Sequence, residues 1–232
     1  MAAAHTQASG KATGGRFKPR HLPTRARGKR SFAKVLDAAE RLIERHGIDY
    51  ATTRRIAKAA GLSVGAVYEY FPNKESIALR IGEAWMQRVR EAAESMHPER
   101  SGIRDLTSYV IQALAGSARL YKDPHGLLTA GSLIGSVPQL REAVRRHDQR
   151  MVEIVVSALR TFKVTAPDRE LYAAAHCVQT IARAVLTARL SVDEETAERM
   201  LINLHTAIFA VVEPLVQPRV ATNGAPPARR KH

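Results

Sequence analysis

Thr53, Arg54 and Arg55 stand at the start of one short apolar-periodic segment, and Ser63, Val64, Gly65 and Ala66 at the start of the next. The first group can donate hydrogen bonds: a guanidinium can fork onto guanine O6 and N7 or bind a phosphate oxygen. Both readings stand for Arg54 and Arg55. The second group is small and nearly devoid of donors, so bidentate base contacts are closed to it. Close backbone approach and contact with thymine methyl groups remain. Tyr68, one turn after Gly65, either packs half-buried on a neighbouring helix or presents its hydroxyl to a ligand. Tyr70 is assigned to the same contacting face. Lys74 opens a further helix, and helix N-termini attract anions.

Holding these side chains in place takes two short helices meeting at a fixed turn. Ile56, Ala57 and Ala60 form one apolar stripe, Gly61 supplies the positive φ that ends it, and Leu62 tucks beneath the turn. Ser63 caps the second helix, whose inner face is Ala66, Val67 and Phe71, and Pro72 closes the unit. A short helix, a glycine turn and a second short helix with an exposed outer face make the helix-turn-helix of DNA readers, at about residues 54–73.

The same stretch, Thr-Thr-x-x-Ile-Ala-x-x-Ala-Gly-x-Ser-x-Gly-x-x-Tyr-x-Tyr-Phe-x-x-Lys over 52–74, resembles the DNA-binding domain of the tetracycline-repressor (TetR) family of bacterial regulators. The likeness runs from Ser31 to Ala84, about a quarter of the chain. One departure is Arg55, where such sequences often carry an acid, so the Thr52 capping box is incomplete. The resemblance implies an all-α protein, a helix-turn-helix domain followed by a larger helical domain for ligand and dimerisation. It implies phosphate contacts from Tyr68 and Lys74, and double-stranded DNA bound by a homodimer paired through the last two helices. It also implies a repressor whose small-molecule effector enters the helical body and shifts the fourth helix.

Helical spacing continues along the chain. Helix one carries Phe32, Val35, Leu36, Ala39, Leu42, Ile43 and His46 and stops at Gly47. Helix four runs from Lys74 to a break at Met96-His97-Pro98. Further helices are expected over Leu106–Tyr121, Gly126–Ile134, Val137–Phe162, Arg169–Leu190 and Glu194–Val216, with Pro214 and Pro218 ending ordered structure. That makes nine helices and no strand. The expected division is a disordered basic arm (1–29), a DNA-binding domain (30–90), a ligand-binding and dimerisation domain (91–217) and a disordered basic tail (218–232).

Composition narrows the class. The formal net charge is +14, yet the first 30 residues hold eight cations and no acid and the last 14 hold four and none, leaving 24 cations against 22 acids between them. The basicity is therefore that of the two ends. Either they are solvated tails, or the N-terminal run, ending in Arg25, Arg27, Lys29 and Arg30, follows the phosphate backbone. No apolar run approaches a membrane span, the basic N-terminus lacks the apolar core of a secretory signal, and one cysteine, Cys177, fits a reducing cytoplasm. The nine histidines show no metal-ligand pairing, and no phosphate-cradling loop or nucleophile constellation is present, so neither cofactor nor enzymatic activity is expected.

Trp85, Tyr109, Gln112, Leu128, Met151, His176 and Gln179 are candidates to line an effector pocket, and their mostly apolar character points to an apolar effector. The broad apolar faces of the last two helices, Val185 and Leu204 among them, either fill a monomer core or form the dimer interface. Two rivals to a regulator are a constitutive basic DNA-binding protein without effector and a helical enzyme with an incidental helix-turn-helix.

Overall fold

The computed structural model describes residues 22–122, 138–162, 164 and 166–216, and the described residues form nine α-helices and no strand. They are α1 (Ala26–His46), α2 (Thr53–Ala60), α3 (Val64–Tyr70), α4 (Lys74–Ser95), α5 (Pro98–Ser101), α6 (Leu106–Lys122), α7 (Pro138–Thr161), α8 (Asp168–Ala188) and α9 (Glu194–Val216). A 3₁₀ turn, Arg189–Ser191, follows α8.

Helix α1 buries Phe32, Val35, Ala38, Ala39 and Ile43 on one stripe. Gly47 ends it at φ 80°, where its N–H still reaches the Ile43 carbonyl. The Phe32 ring stacks on Phe71 with centroids 4.9 Å apart and meets Tyr70 edge-on at 5.6 Å. Ile56, Val67 and Phe71 are fully buried around this aromatic cluster. Burying each such side chain stabilises the small domain by about 1.5–3 kcal/mol, enough to fix three short helices that would not persist alone. Asn73 then starts α4: its Oδ1 accepts from Ser76 N–H at 2.8 Å, and Ser76 Oγ donates to the Asn73 carbonyl at 2.6 Å.

The chain divides into two compact units, Met1–Ala92 with Arg119–Arg150, and Ala93–Ala118 with Met151–His232. Long-range contacts join the two segments of the first unit: Trp85 meets Tyr121 edge-on at 5.4 Å, and Arg90 Nη1 lies 3.2 Å from His147 Nδ1. The reader and the first five turns of α4 therefore share a unit with segments expected to belong to the body. In the second unit, Val152 and Val156 of α7 pack on Ala175 of α8, while Leu204, Ile208 and Val212 of α9 are buried. Asp193 caps α9 through Thr196 N–H at 2.9 Å and its hydroxyl at 2.8 Å, and these bonds hold the Asp193 carboxyl below its usual range.

Four expectations are corrected in detail. Helix α1 begins at Ala26, so Arg27 and Lys29 are helical rather than part of a disordered arm to residue 29. The expected break at Pro98 opens the short α5, because proline fits the first helical position and His97 Nδ1 accepts from Glu99 N–H at 3.4 Å. Helix α8 tightens into 3₁₀ geometry after Ala188. Pro214 lies inside α9, in its last turn, rather than ending it. The helix expected over 126–134, most of the arm and the 218–232 tail fall outside the described residues.

Candidate nucleic-acid interface

Local chemistry sets the turn. Gly61 adopts φ 66° and ψ 37°, the left-handed region that side chains disfavour, and its N–H turns back to α2. Leu62 N–H then reaches the Ala57 carbonyl at 3.0 Å, the six-to-one bond of a glycine-terminated helix. The next residue, Ser63, accepts through Oγ from Ala66 N–H at 3.1 Å and starts α3. Phe71 leaves α3 in extended geometry, with its side chain fully buried.

The outer face of α3 presents Val64 (38% exposed), Gly65 and Tyr68 (41% exposed). Ala66 is intermediate, which reconciles its two assignments to the inner face and the contacting face. Tyr70 is corrected: at 8% exposure it belongs to the aromatic core against Phe32. The spacing held that signal, since two residues advance an α-helix by about 200° and Tyr68 and Tyr70 cannot share a face.

The two arginines of α2 separate in role. Arg55 curls back, with Nη1 donating to the Tyr50 carbonyl at 3.1 Å and its guanidinium 3.9 Å above the Tyr50 ring. Its own N–H bonds Thr52 Oγ1 at 3.3 Å, so Thr52 caps the helix without the acidic partner of a full box. Arg54 is exposed, beside the half-buried Thr53. Lys74 is likewise engaged: its Nζ donates to the Ile48 carbonyl at 3.2 Å and to Asp49 Oδ1 at 3.1 Å, tying the start of α4 to the loop after α1. An ammonium carries three donors, so one remains for a phosphate.

Beside the α2–α3 turn, Arg25 stands before α1 and Arg27, Lys29 and Arg30 extend from its first turns, all exposed; Arg25 and Arg27 line one open cleft with Gly61, Ser63 and Ala66. The first turns of α1, α2 and α3 contain no acid. Cations at the positive end of a helix dipole are unfavourable by about 0.3–1 kcal/mol each, a cost that an approaching polyanion removes. Sequence reasoning missed Gly28. A Cβ there would sit 2.9 Å from Pro23 Cβ and 3.3 Å from the Tyr70 hydroxyl, so glycine lets the incoming chain cross α1. A buried aromatic two helices along the chain gives no local sign of that need.

The proposed effector residues are distributed over both units. Trp85 is buried in the first, while Tyr109, Gln112, Met151, His176 and Gln179 lie in the second. Gln112 and His176 are exposed on their own helices. Tyr109 and Met151 are buried, Gln179 is intermediate, and Leu128 lies outside the described residues.

A capped two-helix unit with a left-handed glycine turn and an outward α3 face defines a helix-turn-helix DNA-binding domain. Residues 35–81 match the family model of the tetR family of bacterial regulatory proteins. Over 80 residues it is 30% identical to the fatty acid metabolism regulator protein of Bacillus subtilis (strain 168), covering 34% of this chain and 41% of that one. Over 73 residues it is 32% identical to the HTH-type transcriptional repressor Rv1474c of Mycobacterium tuberculosis, covering 32% and 36%. The match thus spans less than half the length of either relative. Across the whole fold, a crystal structure from Mesorhizobium loti MAFF303099, described as a TetR-family transcriptional regulator, superposes with a TM-score of 0.68 at 17% identity. It covers 82% of this chain and 98% of that one. That likeness establishes the TetR-like all-α fold with an N-terminal helix-turn-helix and a C-terminal helical domain.

Proposed function

We propose that this protein is a sequence-specific transcriptional regulator, a repressor answering to a small molecule, that binds a near-palindromic operator as a homodimer in the cytoplasm. The observation that carries the reading is the α3 face: Val64, Gly65 and Tyr68 stand outward beside exposed Arg54, on a domain whose first three helices begin without acids. Donor-poor residues at the groove leave thymine methyls and backbone approach to α3, and base hydrogen bonding to Arg54.

Apolar side chains left exposed on α8 and α9 support pairing through these helices: Tyr172 at 41% and Ile202 at 55%, with Val192 at 41% in the connection. Val185 is intermediate, whereas Leu204 is 1% exposed and belongs to the core of its own chain. Two readers on one symmetry axis multiply affinity for a two-fold site.

Selection of bound sequences from random duplex DNA tests the proposal. The expected consensus has two inverted half-sites with centres about one helical turn, or a multiple of it, apart. A pool that binds without acquiring a consensus would contradict it.

A further inference from the structure

The first unit contains an open cleft of about 300 Å³ between α4 and α7, walled by Arg80 and Arg90 on one side and Arg146 and Arg150 on the other. One acid, Glu83, lines it against these four guanidinium groups. Among the described residues Arg80 has no short acceptor: its Nε is buried without a hydrogen-bond partner, and its ion pair with Glu83 spans 4.0 Å. Arg146 pairs with Glu142 at 3.1 Å, outside the cleft lining. His147, 8% exposed, lies with Nδ1 3.2 Å from Arg90 Nη1. A guanidinium only donates, so Nδ1 is the acceptor of this contact. The cleft is therefore a concentration of donors with little negative charge of its own, and guanidinium forks fit carboxylates and phosphates.

Spacing constrains the ligand further. Arg80 and Arg90 stand about 15 Å apart along the axis of α4 at 1.5 Å per residue, with Gln87 and the buried Met86 between them. Ala143 supplies the apolar counterpart on α7. One small monoanion cannot engage both ends.

We propose that this cleft binds a small dianion, two carboxylate or phosphate groups joined by a short uncharged spacer, and that this dianion is the effector. The assignment replaces the apolar ligand suggested by sequence, and its effector half rests on the regulatory function proposed above. The link to DNA is covalent: the α4 that carries Arg80 and Arg90 begins at Lys74, which is bonded to the loop before α2. A ligand that prefers one setting of α4 shifts the reader's equilibrium by its differential affinity for the two settings.

Trp85, the single tryptophan, neighbours Met86 on α4 and reports on the cleft. Malonate, succinate, glutarate, adipate and pyrophosphate are titrated into the full-length protein at about 0.15 M salt, following Trp85 fluorescence, with butyrate as the monoanion. A saturable change is expected for at least one dianion, at concentrations about tenfold below any effect of butyrate. The best carboxylate against pyrophosphate distinguishes the two sources of anionic group. In the double variant Arg146→Gln/Arg150→Gln, at exposed positions, binding weakens by about tenfold or more with an unchanged melting temperature. The active dianion also shifts wild-type affinity for a selected duplex, by anisotropy, and leaves the variant's affinity unmoved. No saturable signal, or equal binding by the variant, overturns the site while leaving the DNA reader intact. Binding that never alters DNA affinity overturns the effector role. A variant or wild type that selects no DNA consensus at all counts against the regulatory reading, with the fluorescence titration still deciding the site.

Discussion

At the scale of single residues, the reader separates side chains that hold the domain from those that meet DNA. Arg54 is exposed while Arg55 is committed to Tyr50, so the two neighbouring arginines should behave differently. Arg54→Ala is expected to cost about 1–3 kcal/mol of specific binding and to relax one position of each half-site, read by repeating the sequence selection. Tyr68→Phe should weaken all duplexes alike, because a hydroxyl on phosphate carries no base information. Gly65 gives a cleaner contrast. The nearest atom to a Cβ there would be Ser63 Oγ at 3.9 Å, so Gly65→Ala should fold with unchanged or raised melting temperature. Its DNA affinity should nonetheless fall, because the added methyl stands where the backbone approaches the groove. Tyr109 supplies a pH test of the second unit. Burial pushes its hydroxyl from 10.0 up to about 12. The folded value exceeds the unfolded one, so its contribution is fully present below pH 10 and is lost as pH rises toward 12. Wild type should lose about 2–3 kcal/mol more stability than Tyr109→Phe across that window, measured by denaturant unfolding.

At the scale of elements, the helices that local rules can fix were legible in the sequence. Gly61, Ser63 and Pro72 act within a few residues of themselves, so the turn between α2 and α3 could be placed without knowing the rest of the fold. Gly61→Ala should cost about 1–2 kcal/mol through the left-handed backbone alone, since nothing lies within 4 Å of the added methyl. Gly61→Asn should recover part of it in a thermal melt. What the sequence left open depends on partners distant along the chain. Lys74 finds the Ile48 carbonyl 26 residues earlier, which no helical spacing encodes. Ile202 and Leu204 both belong to the apolar α9, yet one is 55% exposed and the other 1%; packing alone separates them. The interface test shifts accordingly. Ile202→Asp should give a folded monomer by gel filtration and circular dichroism, whereas Leu204→Asp should lose helical signal by burying an unpaired charge.

At the scale of the whole molecule, charge and specificity are separable. In the proposed reading, the cations gathered at the chain ends raise affinity for any polyanion, while α3 and Arg54 choose among sequences. Deleting residues 1–24 removes Lys11, Arg16, Lys18 and Arg20. It should flatten the slope of log K against log salt by several units per dimer and leave the consensus intact, each phosphate contact contributing about 0.9. Because α1 starts at Ala26, a deletion through Arg30 would cut the helix, and Arg27→Gln with Lys29→Gln is the sound probe of flanking A·T preference. The central claim is sequence-specific reading by the helix-turn-helix. Its most direct test compares affinities for the selected operator and a scrambled duplex of equal length at one fixed salt concentration. The account predicts a ratio of about 10³ or more that collapses in Arg54→Ala and survives removal of the arm. A ratio near one, with binding that tracks only salt and the number of terminal cations, would contradict it.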